Sequence, residues 1–344
     1  MFRVRMLCLL LAGCLSHARI TSADDVSASD VPELTTTQVV SSLDGMEQPV
    51  RYWAPDEANG DSPLPLFVFL HSWSGDYTQD NSKWLKQAVA RNWIFLHPNF
   101  RGVNETPQAC GSEFARRDVL DAIDFACEKF RVDRRRIYLA GTSGGGHMAM
   151  LMAAYHPDRF SAVSEWVGIS DLQRWYHFHV KEGQPQRYAQ MIVKCLGGPP
   201  GTSPEIDASY QERSPLFHLS NAADLPLDFN AGVHDGHTGS VPIDHTLNAY
   251  LTVTAAHGTA TISSSEIAEL LQEETLSRPT PSDEAGDPTY GRRILLRRQS
   301  RNARVTIFEG GHEGLPEPAC EWLSQQSRLV QPESSDRQEE KAIE

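Results

Sequence analysis

Ser143 stands in Gly141-Thr142-Ser143-Gly144-Gly145, directly after the apolar run Ile137-Tyr138-Leu139-Ala140 and directly before an apolar helical stretch, Gly144 to Tyr155. That context, more than the five-residue G-x-S-x-G pattern, points to nucleophilic chemistry. A strand that turns sharply into a helix strains the turn residue, and a serine there carries its hydroxyl clear of the backbone. Flanking glycines remove side chains that would collide in so tight a turn. The helix N-terminus aims backbone N–H groups at a developing oxyanion. A serine hydroxyl is a weak nucleophile near neutral pH and needs a base to accept its proton. Among 13 histidines, His312 fits that need best, because it follows the strand-like Val305 to Phe308 through Glu309-Gly310-Gly311. His147, one turn into the helix after Ser143, reads as packing or substrate lining.

A carboxylate must orient the base. Asp235 follows the strand-like Leu225 to Ala231 in the glycine-flanked turn Gly232-Val233-His234-Asp235-Gly236. Asp228 lies inside that strand, and Asp244 in the helical segment beyond it. His234, Asp235, His237 and His245 also carry zinc's ligand types, so metal-assisted hydrolysis is a competing reading. Their spacing matches neither HExxH nor another zinc pattern, and a metal would leave the serine turn without a purpose. The expectation is a serine triad with no metal and no cofactor. A non-catalytic binding module on the same scaffold is the third reading, and the intact triad speaks against it.

These residues need a frame. From about residue 48 to 322 strand-like and helix-like segments alternate. Leu66 to Leu70 is short and wholly apolar, as a strand buried on both faces should be. Trp93 to Leu96, Ile137 to Ala140, Phe160 to Val167, Leu225 to Ala231 and Val305 to Phe308 are the further strands. Glu113 to Phe130 is a helix with Ser112 as its N-cap. Such alternation predicts an α/β class, with a mainly parallel sheet and helices on both faces. Val50 to Trp53 is placed at an antiparallel edge. Together with the serine turn, the pattern is that of the α/β-hydrolase fold, whose triad runs serine, acid, histidine along the chain. Asp235 satisfies that order. The loop after the first apolar strand, His71-Ser72-Trp73-Ser74-Gly75, is placed to supply a second oxyanion donor beside Gly144. The Trp73 N–H is the expected one, with Ser72 as the alternative.

Residues 66 to 325 resemble the catalytic domain of the prolyl-oligopeptidase-like branch of the α/β hydrolases, including its esterase and acyl-hydrolase members. The resemblance is carried by Asn99-Phe100-Arg101-Gly102, the serine turn, Arg213-Ser214-Pro215-Leu216, and Gly232-Val233-His234-Asp235. It continues in Val241-Pro242 and Glu309-Gly310-Gly311-His312-Glu313-Gly314. It implies triad roles for Ser143, Asp235 and His312. One departure is the long interval between Asp235 and His312. Another is Ser72, where many relatives have glycine. Oligopeptidases of that family gate their triad with a β-propeller, which takes at least four blades of ~40–50 residues. Only residues 24 to 65 precede the first core strand, so a preference for small-molecule esters, of carbohydrates or aryl groups, over peptides is expected, with a serine peptidase of the prolyl-oligopeptidase type as the alternative. Gln173 to Pro204, rich in aromatics, Gly and Pro, is read as a small cap at about 173–204. Its Trp175 and Tyr176 either bind substrate or pack the cap onto the sheet. Glu273 to Arg293 is polar and Pro-rich and is read as a mobile surface insertion.

The chain has 344 residues, 40% hydrophobic and 22% charged, with a formal net charge of −14. That composition is globular, and the acidity argues against a nucleic-acid partner. The arginines from Arg292 to Arg304 are read as a solvated helix face before a strand. Arg3 and Arg5 followed by the apolar Met6 to Ala12 resemble an export signal, residues 1–23. Two cleavage readings stay open, one before Asp24 and one at Leu11-Ala12-Gly13-Cys14, which would lipidate Cys14 and give the only expected membrane contact. Beyond Cys8 and Cys14 remain Cys110, Cys127, Cys195 and Cys320. Cys110 and Cys195 are expected to meet in a disulfide, with Cys127 a buried free thiol. The hydrolase domain is placed at 24–330 and an acidic tail at 331–344. The oligomeric state is left open.

Overall fold

Leu64–Leu70 (β3) loses its last six side chains almost completely from solvent. A strand so apolar on both faces must sit in the middle of a sheet, each large side chain contributing about 1.5–3 kcal/mol by leaving water. The computed structural model, which describes residues 31–259 and 261–328, places it there. The other strands of the sheet are Thr35–Val40 (β1), Glu47–Trp53 (β2), Ile94–Pro98 (β4), Val132–Thr142 (β5), Ala162–Trp166 (β6), Leu227–Gly232 (β9), Ile294–Ser300 (β10) and Ala303–Phe308 (β11). A small hairpin, Val180–Lys181 (β7) with Gln184–Pro185 (β8), stands apart. The sheet runs β1-β2-β4-β3-β5-β6-β9-β11-β10. Its centre, from β4 to β11, is parallel, and β1, β2 and β10 are antiparallel additions at the two edges.

Ser82–Ala90 (α1), Glu113–Lys129 (α2) and Gly144–Tyr155 (α3) make the first crossovers. Ser112 caps α2, its hydroxyl accepting the Ala115 N–H at 3.2 Å. From β3 the chain moves outward to β4, then returns through α2 to β5 on the other side of β3. That reversal opens a crevice at the carboxyl ends of β3 and β5, where ligands of open α/β sheets bind. The loops leaving those two strands are His71–Gly75 and the Ser143 turn.

Between β6 and β9 lie Leu172–Phe178 (α4), Arg187–Leu196 (α5) and Pro204–Glu212 (α6), so the cap is broader than 173–204 and ends with α6. It has its own apolar cluster, in which Leu172, Trp175, Ile192 and Tyr210 pack with Trp73 and Val241 from the sheet's end. Asp171 caps α4 through the Gln173 and Arg174 N–H groups. Cys110 and Cys195 meet inside this cluster as free thiols, hydrogen-bonded to each other. Burial pushes the Cys110 thiol well up, whereas the bond from Cys110 lowers Cys195. Cys127 is a free, half-buried thiol.

After β9 come Asp244–Ala255 (α7) and Ser264–Glu273 (α8), then the β10–β11 hairpin and Pro316–Ser324 (α9). Two sequence expectations fail here. The segment 273–293 is tied down, with Asp283 and Tyr290 buried and the Tyr290 hydroxyl donating to Asn230 Oδ1 at 2.6 Å. The arginine-rich stretch is a strand, not a helix face. Arg298 pairs with Glu266 and Asp283, Arg297 with Asp287, and Arg304 with Asp228. Carboxylates distant in sequence neutralise the arginines, so the strand stays at the sheet's edge. This excursion also explains the long Asp235–His312 interval. The chain leaves β9, builds the edge strand, and returns on β11, directly beside β9. The proposed signal at 1–23, with Cys14, and the tail at 331–344 lie outside the described residues.

Candidate active site

Ser143 has φ 61° and ψ −118°, a left-handed backbone that a non-glycine residue adopts only under strain. Its own N–H donates to the Trp166 carbonyl at 2.8 Å, which fastens the turn to β6. The side chain is 8% exposed, and Oγ lies 2.9 Å from His312 Nε2. His312 Nδ1 lies 2.7 Å from Asp235 Oδ2. With the proton on Nδ1, the ring donates to the carboxylate and keeps the Nε2 lone pair for the serine proton. Asp235 is fixed in turn, because its Oδ1 accepts the Gly236 and Val241 N–H groups at 3.0 and 3.1 Å. The three residues named from the sequence therefore meet in one hydrogen-bonded line.

The loops after β9 and β11 run close together, the His234 N–H donating to the Gly310 carbonyl at 2.9 Å. Gly239 lies in the bend of the first loop. A Cβ there would collide with the Asp235 carboxylate and come within 2.8 Å of His312 Cβ, so this position must be glycine for the pair to meet.

Gly144 opens α3, whose first N–H has no carbonyl within the helix. A Cβ at Gly144 would collide with the Trp73 backbone nitrogen, so the two backbone segments approach closely at the turn. The Ser72 N–H is engaged elsewhere, donating to Gln79 Oε1 at 2.9 Å. Of the two donors weighed in the sequence, Trp73 is the one this arrangement leaves available. Its indole packs edge-on against Trp175 at 4.7 Å and His147 at 5.6 Å.

The substrate expectation for the cap is corrected. Trp175 and Tyr176 are 0% and 6% exposed and do not line the cleft at Ser143. Trp175 Nε1 donates to the Ser240 carbonyl at 2.8 Å, and Tyr176 packs against Tyr210. Short α4 turns its aromatic face to the cap's core, and Trp175 packs against Trp73 of the loop after β3. The cap residue that reaches the cleft is Tyr188, at half burial on α5. The cleft holds about 440 Å³, with Ser72, Gln79, Asn81 and Lys83 among its polar lining and Trp84 among its apolar lining. Tyr188 and Ser240, which lies 3.3 Å from His312 Nε2, were missed from the sequence. The adjacent Val241-Pro242 was the one signal near Ser240.

The histidine-rich turn does not assemble as a ligand set. His234 faces Glu274 at 2.9 Å and Glu309 at 2.8 Å, and these carboxylates raise its pKa. His245 is buried against Ser170, its pKa pushed down to about 3 by burial. His147 is likewise a packed residue, hydrogen-bonded to the Arg213 carbonyl at 2.7 Å and pushed down to about 4 by burial.

Beneath the turn, Glu165 of β6 is fully buried, its Oε2 accepting the Gly168 N–H at 3.0 Å while Oε1 has no protein partner. Burial, with Asp228 adding repulsion, pushes this carboxyl up to about 8 from 4.5. Between those values the unfolded chain gives up the proton and the folded chain keeps it, so stability falls as the pH rises through that window. Glu165→Gln should remove this component. In urea unfolding, the variant should lose less stability than the parent between about pH 5 and pH 8. Identical losses would refute the buried, neutral Glu165.

A strained serine and an imidazole fixed by a carboxylate, set at the switch point of a parallel sheet, have the arrangement of a nucleophile with its base on the α/β-hydrolase fold. The chain belongs to the prolyl oligopeptidase family, whose model matches residues 81–256 and so includes Ser143 and Asp235. It is 25% identical over 193 residues to acylamino-acid-releasing enzyme 1 of Oryza sativa subsp. japonica, spanning 50% of this chain and 24% of that protein. It is 22% identical over 115 residues to acetylxylan esterase A of Emericella nidulans, spanning 30% of this chain and 38% of that protein. The matched part is therefore well under two thirds of the length of either relative. Among solved structures, an acylaminoacyl peptidase in complex with Z-Gly-Gly-Phe-chloromethyl ketone matches with a TM-score of 0.59 at 18% identity. That match covers 87% of this chain and 42% of the other, and it shows the shared fold.

Proposed function

We propose that this serine hydrolase cleaves carboxylic esters, carbohydrate or aryl esters in particular, through an acyl-enzyme on Ser143. Ser143 Oγ attacks the carbonyl carbon as His312 Nε2 takes its proton. The Trp73 and Gly144 N–H groups receive the oxyanion, and His312 returns the proton to the departing alcohol. Water then repeats the sequence in reverse and frees the acid.

The observation that carries the ester reading is the chemistry of the cleft. Ser72, Ser74 and Thr142 are among the residues that line it. Gln79, Asn81 and Lys83 extend the polar wall, while Trp84 and Tyr188 offer aromatic surface. Sugar and aryl alcohols present both kinds of group. Esters also ask less of the general acid, since an alkoxide departs more readily than an unprotonated amine. The signal-like residues 1–23 support an exported form of the enzyme. In a comparison of kcat/KM, aryl and sugar esters should exceed matched peptide amides by more than about tenfold, or 1.4 kcal/mol in the barrier. Faster cleavage of peptide amides would replace this reading with a peptidase, as the name of the prolyl oligopeptidase family suggests.

A further inference from the structure

We propose that Ser240 is a positioning residue for the hydrolytic half of the reaction, its hydroxyl holding the attacking water against His312. The inference rests on the acyl-enzyme reading and deepens it. Ser240 Oγ lies 3.3 Å from His312 Nε2, the same nitrogen that faces Ser143 Oγ at 2.9 Å. Two hydroxyls thus share one side of the catalytic ring, and serine catalysis consumes only one of them.

The position of Ser240 is fixed from two directions. Its carbonyl accepts the Trp175 Nε1–H at 2.8 Å and the His179 Nε2–H at 2.9 Å, both from the cap. The next residue, Val241, donates its N–H to Asp235 Oδ1 at 3.1 Å. The cap and the catalytic acid therefore hold one backbone segment between them, and the hydroxyl it carries points at the base.

The two halves of the reaction differ in what Nε2 faces. During acylation, Ser143 Oγ bonds to the acyl carbon, its proton passes to Nε2, and the ester's C–O bond breaks as the alcohol leaves with that proton. Ser143 then has no hydrogen to offer, and Nε2 is again an unprotonated acceptor. For deacylation, a water oxygen must bond to the acyl carbon while one water proton moves to Nε2. The acyl–Oγ bond then breaks, and Nε2 returns the proton to Ser143 Oγ as the carboxylic acid departs. A water has two hydrogens, and the acceptors Nε2 and Ser240 Oγ are close enough for one molecule to bridge them. Held at both hydrogens, the water keeps its lone pair for the acyl carbon. Ser240 emerges from the step unchanged.

The test is stopped-flow hydrolysis of p-nitrophenyl acetate, in which the burst reports acylation and the steady state reports deacylation. Ser240→Ala should slow the steady state roughly tenfold, the loss of one water-held hydrogen bond. Its burst rate and fluorophosphonate labelling should stay within about twofold of the parent, because the Ser143–His312–Asp235 line is intact. Ser240→Thr retains the hydroxyl and should recover most of the rate. Equal slowing of burst and steady state would mean that Ser240 only aligns the His312 ring, and would overturn the proposal. An unchanged steady state in Ser240→Ala would overturn it as well. A parent enzyme with neither burst nor labelling at Ser143 would instead overturn the acyl-enzyme reading.

Discussion

Ser143→Ala should lower kcat on the order of 10⁶-fold, by comparison with loss of the nucleophile in another serine hydrolase. The substitution removes one oxygen, whose hydrogen-bond partner in the triad is His312 Nε2. The turn itself is held by the Ser143 N–H on the Trp166 carbonyl, a bond that alanine keeps. The left-handed backbone at φ 61° suits alanine no better than serine, so the melting temperature should be essentially unchanged. Residual turnover should come from the oxyanion donors and binding alone. A variant with kcat near the parent's would remove Ser143 from the chemistry.

The second large effect belongs to Asp235→Asn, expected to cost about 10⁴-fold in kcat, the loss given for the same change in another serine triad. The Gly236 and Val241 N–H groups require an oxygen at Oδ1. The asparagine must therefore turn its amide toward His312 Nδ1. A donor there forces Nδ1 to become the acceptor and moves the ring proton to Nε2. The nitrogen that should take the serine proton is then already protonated. Asp244→Asn is the matched control, because buried Asp244 pairs with Arg174 of α4 and makes no contact with His312. It should alter the stability of the cap and leave kcat nearly intact. Reversed effects in the two variants would move the acid to Asp244.

The chemistry was legible because each triad residue sits in a turn whose sequence declares itself. Ser143, Asp235 and His312 each follow an apolar strand and are flanked by glycine, and the parallel sheet brings strands distant in sequence side by side. The approach of the loop after β3 to the serine turn was readable for a similar reason, since β3 and β5 are neighbouring parallel strands. The cap aromatics were not. Trp175 and Tyr188 have similar local surroundings in the sequence, yet α4 faces the cap's core and Tyr188 on α5 reaches the cleft. That difference depends on how three short helices stack. The β10 edge was hidden for an electrostatic reason. Arg297, Arg298 and Arg304 look solvated until Asp283, Asp287 and Asp228 are seen beside them. The outer β1 was missed because four of its six residues are exposed and it lacks the continuous apolar run of a central strand.

The central claim is that Ser143, activated by His312, forms the covalent intermediate. The direct measurement is peptide mapping after reaction with a fluorophosphonate, which traps an activated serine at the oxyanion site. The account predicts one modified residue, Ser143, with labelling lost in Ser143→Ala and strongly slowed in Asp235→Asn. Stoichiometric labelling at another residue, or undiminished labelling of the Ser143→Ala protein, would contradict it.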